Sequence, residues 1–446
     1  MGTFTKNNYH VWHPFTDMPL FYEEPVLFKE AKDLLLSDVN NKKYINSISG
    51  LWNMNLGSGN REIIEAIIEQ LSTLQYASLF RMGHETARLY AEELAKVLPG
   101  DLNKVFFTSN GSEAVETMIK AARQYYKLLG KKDKHIIIGL KRAYHGVSYG
   151  ALSASGIEED QQMFTPLVPG FEHIEPPYCL RCAFNKNVRN CNVECAKQLE
   201  DIICQHKVSR VAGFLMEPVM GFGGVIVPPD KYFTEIQRIL DKYDVLFMLD
   251  EITTGFGRTG EMFASQHWGL KADMMAIGKG MSGGYMPLGA AVFTDEIFNK
   301  FAENQNNRFN HGSTYSGHPL SCAAGIKVLE KLAEGNIIQG VKEVEKNMWE
   351  YFEPFQAFSC IGEIRGKGGM FAIEFVKDQS TLAPLDAETM YQIIRGIIRW
   401  GVLVSQSGNN IIIMPPLTIG SKYLKKIYNA IAITIKQVLG EETKLV

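Results

Sequence analysis

An aspartate and a lysine, 29 residues apart, each follow a short apolar run in this chain. Asp250 closes the run 245–249, and Lys279 follows the run 274–277 inside the glycine-rich stretch GKGMSGG. Two such side chains at neighbouring strand ends can bind opposite ends of one flat cofactor. A lysine enclosed by small residues can have a lowered pKa and serve as a Schiff-base nucleophile. The alternative is a surface lysine in a glycine-rich turn.

Polar or aromatic residues also follow two other strand-like runs. Glu217 comes directly after 210–216, and Tyr144 and His145 follow 135–140. Ligands of open α/β sheets bind outside the carboxyl ends of the strands, so these residues are candidates for the same site. An acid at a strand end can also be a helix cap, and a tyrosine there can be a rim aromatic.

Gly111 and Ser112 lie in the turn between a short strand and a strongly helical run. Backbone N–H groups, a hydroxyl and the helix dipole at such a turn favour an anion. The alternative is an ordinary helix start, in which Ser112 is the N-cap and Glu113 lies in the first turn. The residues alone leave both readings open.

Composition narrows the class of protein. The chain has 446 residues, 46% of them hydrophobic and 21% charged, with a formal net charge of −3. This charge gives no reason to expect nucleic acid or an anionic membrane as a partner. We expect no secretory signal and no transmembrane span, since no run approaches about 18 apolar residues. Seven cysteines, an odd number, favour reduced thiols and a cytoplasmic location.

Strand-like and helical runs alternate through the middle of the chain. The alternation predicts an α/β domain with a mostly parallel sheet over residues 61–320, and continuously apolar strands indicate helices on both sheet faces. We expect residues 1–60 to form an N-terminal segment that joins a small α+β domain at residues 321–446. The predicted strands of the large domain are 104–108, 135–140, 210–216, 245–249, 274–277 and 289–293.

Six motifs in consistent order resemble the class III aminotransferases, the pyridoxal-phosphate enzymes of fold type I often called ω-transaminases. The resemblance covers about residues 10–420. It implies a large domain on a seven-stranded, mostly parallel sheet, a smaller α+β domain and pyridoxal 5′-phosphate as cofactor. The motifs are SNGSEAVE (109–116), AYHG (143–146), EPVMGFGGVIVPP (217–229), LDEITTGFGRTG (249–260), GKGMSGGYMPLGA (278–290) and HGSTYSGHPLSCAA (311–324).

The resemblance implies roles for four residues around the cofactor ring. Lys279 resembles the lysine that forms the Schiff base and then moves the proton. Asp250 resembles the partner of the pyridine nitrogen, whose charge keeps the ring protonated. Ile252 is expected against one ring face and Tyr144 against the other.

The same resemblance implies the remaining cofactor contacts. Gly111 and Ser112 are expected to bind the phosphate, together with Thr314 from a neighbouring subunit. Glu217 is expected near the 3′-hydroxyl side and the substrate, and His145 is also placed among the cofactor-binding residues. Because Thr314 acts across an interface, the resemblance implies a homodimer, or a tetramer, with shared active sites.

The residues that would determine the substrate match the family pattern less closely. Many relatives carry a carboxylate-binding arginine shortly before a Pro-Pro pair, but 402–416 contains none. This disfavours 2-oxoglutarate and favours a small oxo-acid such as pyruvate, unless Arg81 replaces the missing group. Trp52 is expected to line the substrate pocket, with a primary or terminal amine as donor.

Three alternatives to this reaction remain open. The stretch WHPFT (12–16) is similar to the start of diaminopelargonate synthases, the biotin-pathway members of the class. Racemases, a decarboxylase and phospho-lyases share the same scaffold. A catalytically silent binding protein is the third possibility, although both Lys279 and Asp250 are present.

A cysteine pattern lies outside the family motifs. Cys179 and Cys182 have two residues between them, and Cys191 and Cys195 have three. Four thiolates at such spacings could close a tetrahedral zinc site. The family chemistry needs no metal, so we expect none in the active site, and the role of the four cysteines remains open.

Overall fold

The computed structural model describes residues 8–441. The outermost parts of the predicted terminal segments, residues 1–7 and 442–446, lie outside the described residues. The strands are β1 (Phe28–Lys32), β2 (Leu35–Asp38), β3 (Lys43–Asn46), β4 (Leu102–Thr108), β5 (Ile136–Leu140), β6 (Phe171–Ile174), β7 (Val211–Met216), β8 (Leu246–Asp250), β9 (Met274–Ile277), β10 (Gly289–Thr294), β11 (Ile361–Lys367), β12 (Met370–Phe375), β13 (Val402–Leu403), β14 (Ser405–Ser407) and β15 (Asn410–Ile413).

Helices separate most of these strands. They are α1 (Met18–Glu23), α2 (Ser49–Trp52, a single kinked turn), α3 (Arg61–Thr73), α4 (Glu85–Val97), α5 (Gly111–Leu128), α6 (Tyr149–Ala154), α7 (Glu158–Gln161), α8 (Glu194–His206), α9 (Asp230–Tyr243), α10 (Asp295–Ala302), α11 (Pro319–Ala333), α12 (Ile337–Phe352), α13 (Ala387–Arg399) and α14 (Ser421–Leu439). No helix between residues 8 and 441 is both long and apolar enough to cross a membrane.

The largest sheet has seven strands in the order β4-β10-β9-β8-β7-β5-β6. All neighbouring pairs are parallel except the two that involve β10. Alternate residues of β8 face opposite sides of the sheet, and both sets are apolar. Helices therefore cover both faces. Phe247 and Leu249 pack in one buried cluster with Ile236 of α9, and Met248 packs in another with Met118 of α5.

Two four-stranded sheets complete the described structure. One has the order β11-β12-β15-β14, and the other has the order β1-β2-β3-β13. In the second sheet the N-terminal strand β3 pairs in parallel with β13. Residues of α12, α13 and α14 pack on β11, β12 and β15, and on Leu34 and Ile45 of the N-terminal segment. The domain boundaries at residues 60 and 320 stay predictions.

Two features of the elements differ from the expectation. The sequence predicts a strand pair over 402–414, and β14 and β15 form such a pair, but β13 at the start of this stretch pairs with β3 in the other sheet. The edge strand β6 was not predicted, because Phe171–Ile174 is short, mostly half-buried and lacks an apolar run.

Candidate functional site

Four adjacent strands present the predicted polar residues at one edge of the large sheet. The strands β5, β7, β8 and β9 are neighbours in space and parallel to one another. Their carboxyl ends lead to Tyr144 and His145, to Glu217, to Asp250 and to Lys279 respectively. Parallel strands end at the same edge, so residues from four parts of the chain meet in one site.

Asp250, the last residue of β8, is 3% exposed and contacts two groups. Its Oδ2 lies 2.8 Å from Nδ1 of the buried His145, and its Oδ1 accepts a hydrogen bond of 3.0 Å from the backbone N–H of Ile252. The other ring nitrogen of His145, Nε2, is buried and has no partner in the described structure. These contacts orient the carboxylate, so it can face a cationic group without rearranging.

Lys279 begins a 3₁₀ turn after β9, and its φ of +42° lies in the left-handed region. Its Nζ donates to Thr253 Oγ1 at 2.6 Å and lies 4.7 Å from the centre of the Trp52 ring. Burial of the amino group lowers the pKa of Lys279 to about 8, against the opposing effect of Asp250 and Glu217. A lysine in this state is a better nucleophile and proton acceptor than a free lysine.

Glu217 is a buried carboxylate without a cationic hydrogen-bond partner among the described residues. Its Oε1 accepts from the backbone N–H of Tyr144 at 3.2 Å, and its Oε2 accepts from Gly221 at 2.8 Å. Burial and, second, the charge of Asp250 raise the pKa of Glu217 to about 7. The group therefore titrates near neutral pH, unlike a solvated glutamate.

This shift predicts a pH-dependent effect of the substitution Glu217→Gln. The stability that a raised pKa contributes is complete below the ordinary value of 4.5 and is lost as pH rises through about 7, where the buried carboxyl ionises. Glutamine cannot ionise, so the variant is expected to gain more stability over wild type at pH 8 than at pH 5. Guanidinium unfolding at both pH values measures the difference. The exposed control Glu65→Gln should show no such dependence, and an equal effect of Glu217→Gln at both pH values would contradict the prediction.

The turn before α5 forms a narrow cradle. The alternative in which Ser112 caps this helix is wrong, since Asn110 is the N-cap and its side chain accepts from Glu113 N at 3.0 Å. The Ser112 hydroxyl instead accepts from Val147 N at 3.1 Å. A Cβ added at Gly111 would lie 2.8 Å from Cδ1 of Ile252, so a side chain there requires Ile252 to shift.

Comparison with known proteins decides the family. The profile of the family Aminotransferase class-III matches residues 21–435. The chain is a class III aminotransferase. It is 34% identical, over 96% of both chains, to the adenosylmethionine-8-amino-7-oxononanoate aminotransferase of Methanocaldococcus jannaschii. It is 36% identical to the putrescine–pyruvate aminotransferase of Pseudomonas aeruginosa, over 92% of this chain and 90% of the relative.

Solved structures of transaminases confirm the predicted fold. An amine transaminase from an uncultivated Pseudomonas species, in its PLP-bound form, superposes with a TM-score of 0.93. It is 32% identical over 96% of this chain and 99% of its own. The class III aminotransferase fold is therefore fold type I, as expected, and the cofactor is pyridoxal 5′-phosphate.

The residues of this aminotransferase fit that cofactor. Carboxylate, amino group and helix N-terminus are chemically suited to a pyridine nitrogen, an aldehyde and a phosphate. The close approach of Gly111 to Ile252 and the unpartnered Nε2 of His145 both lie at this site. The chain thus supplies a matching group for each polar end of the cofactor.

The substitution Gly111→Ala tests the cradle. Its Cβ would displace Ile252, so we expect cofactor affinity to fall about 10-fold or more and stability to fall by about 1–3 kcal/mol. Equilibrium titration with pyridoxal phosphate and thermal unfolding measure the two effects. Gly340→Ala is the matched control, because a Cβ at Gly340 meets nothing within 4 Å and alanine is the better helix former. Unchanged cofactor affinity in Gly111→Ala would contradict the predicted crowding.

Not every residue predicted for the site lies near Lys279 and Asp250 within one chain. Trp52 does, through its ring contact with the Lys279 amino group. Arg81 is exposed and lines a separate cavity of about 690 Å³ with Phe106 and Arg308. Thr314 is exposed as well, and its carbonyl oxygen accepts from the hydroxyl of Tyr76 at 2.9 Å.

Two further residues belong to the site and had no predicted role. Thr253 contacts Lys279 Nζ directly, and Phe222 packs between two predicted residues, with ring centres 5.3 Å from Tyr144 and 6.2 Å from Trp52. Both lie inside motifs of the family, but spacing alone does not tell which residue of a loop points inward.

The four patterned cysteines surround one small cavity. Cys179, Cys182, Cys191 and Cys195 line a space of about 20 Å³, and burial raises the pKa of Cys195 to about 12. Within residues 8–441 no group of three or more His, Cys, Asp or Glu side chains is arranged to bind a metal ion.

Proposed function

We propose that this aminotransferase moves an amino group from a primary, often terminal, amine to a small oxo-acid, with pyruvate as the favoured acceptor. The observation that carries the proposal is the enclosed amino group of Lys279, with a pKa lowered to about 8, beside the buried Asp250–His145 pair. Bound pyridoxal phosphate supplies an aldehyde that takes up the amino group and a ring that accepts the electrons of the breaking C–H bond.

The protein side of this reaction is divided among five residues. Lys279 would hold the cofactor covalently and would be the group that moves the proton, and its Nζ is oriented by donation to the Thr253 hydroxyl at 2.6 Å. Asp250 would keep the ring nitrogen protonated. Gly111 and Ser112 would hold the phosphate at the start of α5, where the helix dipole favours an anion.

Five more residues shape the rest of the site in this proposal. Ile252 and Tyr144 would pack on opposite faces of the ring, and His145 orients Asp250 through their hydrogen bond. Glu217 would lie beside the cofactor and the substrate. Trp52 forms the wall of the substrate pocket next to Lys279.

The acceptor follows from the arginines near the pocket. The stretch 402–416 has no arginine, and Arg365, buried nearby, donates to Glu374 at 2.7 Å, to Asn410 at 2.6 Å and to the carbonyl of Gly224 at 2.8 Å. A guanidinium committed in this way has no free fork for a second carboxylate. Pyruvate has one carboxylate and 2-oxoglutarate has two, so pyruvate requires no second carboxylate-binding group. This supports pyruvate as the acceptor.

A donor panel assayed with each acceptor tests the proposal. Diamines, β-alanine, taurine, 4-aminobutyrate and arylalkylamines are mixed with pyruvate or with 2-oxoglutarate, and alanine or glutamate is measured. We expect at least one donor to yield alanine stoichiometrically and faster than glutamate. Faster transfer to 2-oxoglutarate, or no transfer with any donor, would overturn it.

A second candidate is a diaminopelargonate synthase-like reaction. The relative from Methanocaldococcus jannaschii carries that activity in its name, and the stretch WHPFT at 12–16 is similar to the start of such enzymes. Incubation with adenosylmethionine and 8-amino-7-oxononanoate separates the two. Turnover faster than the best amine–pyruvate pair favours this second reaction.

We also propose a homodimer, or a tetramer built from two such dimers, in which Thr314 reaches the partner's phosphate site. Near Thr314 the apolar side chains of Phe80 (53%), Met82 (70%) and Tyr315 (62%) are exposed, which supports an interface with a partner subunit at this surface. We propose a cytoplasmic location too, supported by the seven unpaired thiols. Light scattering of the purified enzyme tests the assembly.

A further inference from the structure

Arg258 is a fully buried arginine, 0% exposed, in the loop that follows Asp250. Its Nη2 donates to Asn55 Oδ1 at 2.6 Å and to Ser49 Oγ at 3.3 Å, on the segment that carries Trp52. Its Nη1 donates to the carbonyls of Gly369 and Pro415, which follow β11 and β15. One guanidinium thus joins three separate parts of the chain.

The burial of this charge is costly. No carboxylate offsets it within the described structure, and burial lowers the pKa of Arg258 to about 9. Its Nε is buried without a partner as well. An isolated buried charge destabilises a folded protein, so its presence calls for a compensating function.

The segment it binds has an unusual backbone. Ser49 and Trp52 have φ values of +48° and +64°, which residues other than glycine rarely adopt. Such a conformation persists only when surrounding contacts determine it. Ser49 Oγ also donates to Met414 O at 2.7 Å, and the Asn55 amide donates to Phe256 O at 2.8 Å.

The same contacts reach the turn of Lys279. A Cβ added at Gly280 would lie 2.6 Å from Asn55 Nδ2, so this turn packs directly on the residue that Arg258 binds. The charge of Arg258 also contributes to lowering the pKa of Lys279. Arg258 therefore acts on Lys279 by two routes, one through packing and one through charge.

We propose that Arg258 is a positioning residue that fixes the strained Trp52 segment over the Lys279 amino group and holds both against the segments after β11 and β15. Its four acceptors set the shape of the pocket wall, and its charge favours the neutral form of the nucleophile. A lysine cannot perform both tasks, because one ammonium group lacks the planar, forked donors.

Three variants of the full-length holoenzyme separate these tasks. Arg258→Met removes the charge and the donors, Arg258→Lys keeps the charge alone, and the double variant Ser49→Ala with Asn55→Ala keeps the arginine but removes its acceptors on the Trp52 segment. Two quantities are measured, namely kcat/KM for the best amine donor and the pH midpoint at which the visible band of the bound cofactor titrates. Thermal unfolding and circular dichroism report folding.

We expect kcat/KM to fall about 100-fold in all three variants, mainly through KM, because the pocket wall is misplaced. Only Arg258→Met should move the pH midpoint, upward by roughly one unit, since a nearby cation is lost. Arg365→Met is the control for the midpoint: it removes a buried arginine whose charge does not act on Lys279, so its midpoint should equal that of wild type.

Two results would overturn the proposal. The first is a folded double variant with wild-type kcat/KM, a result that remains decisive even if Arg258→Met does not fold. The second is a loss of thermal stability in all variants with unchanged KM and pH midpoint, which indicates a purely structural role. The inference rests on the proposed function only for the choice of amine. Absence of transamination in wild type would refute that function and leave the midpoint comparison intact.

Discussion

Replacing Lys279 with alanine is expected to lower kcat by on the order of 10⁴-fold, the upper range for a positioned acid–base group. The substitution removes the enclosed amino group that donates to Thr253, so neither covalent attachment of the cofactor nor proton movement from this position remains. Borohydride reduction followed by intact-mass measurement should show a cofactor adduct in wild type and none in the variant. Stopped-time assays with the best donor and pyruvate give the rate.

Lys346→Ala is the matched control for this substitution. The Lys346 side chain is 75% exposed on α12, so its loss should leave both the adduct and the rate unchanged. A Lys279→Ala variant that still transaminates at more than a few per cent of the wild-type rate would refute the role of Lys279. Retention of a reducible adduct in that variant would point to another lysine.

The second large effect is expected from Asp250→Asn. The amide keeps the shape of the side chain and can still accept from Ile252 N, but it removes the negative charge that faces His145 and that we propose to face the cofactor nitrogen. We expect kcat to fall on the order of 10³-fold, as when one preorganised electrostatic contact is removed. Stopped-flow half-reactions with amine alone should show that the loss lies in C–H cleavage.

A half-buried aspartate at the other end of the same region provides the control. Asp273 accepts from Phe247 N at 2.7 Å near the amino end of β9, and burial raises its pKa to about 6. Asp273→Asn should change stability while leaving kcat and the cofactor spectrum near those of wild type. Equal losses of kcat in both aspartate variants would refute a specific role for Asp250.

The local elements near the site follow from sequence patterns. The strand Met274–Ile277 has the predicted bounds, and β8 differs from its prediction by one residue at each end. Continuous apolar runs and helical periodicity indicate which residues of a segment are buried. Local elements can therefore be predicted without knowledge of the fold. The edge strand β6 has no such pattern, because it is covered by only one neighbouring strand, β5.

The family and the cofactor were also accessible from the sequence, since six motifs occur in one order. Motif matching could not decide what each motif residue contacts. It left Ser112 as a possible N-cap, whereas Asn110 occupies that position. It assigned no role to Thr253 or Arg258, which contact the nucleophile and its surroundings.

Sequence by itself therefore determined the α/β class, the strand ends and the chemical types of Asp250 and Lys279. Tertiary structure decided which of these meet. The strand order β5-β7-β8-β9 brings His145 to Asp250 across 105 residues of chain and encloses the amino group of Lys279. The reason is physical: periodicity reports the burial of each segment, while a lowered pKa and a shared hydrogen bond depend on segments that are distant along the chain.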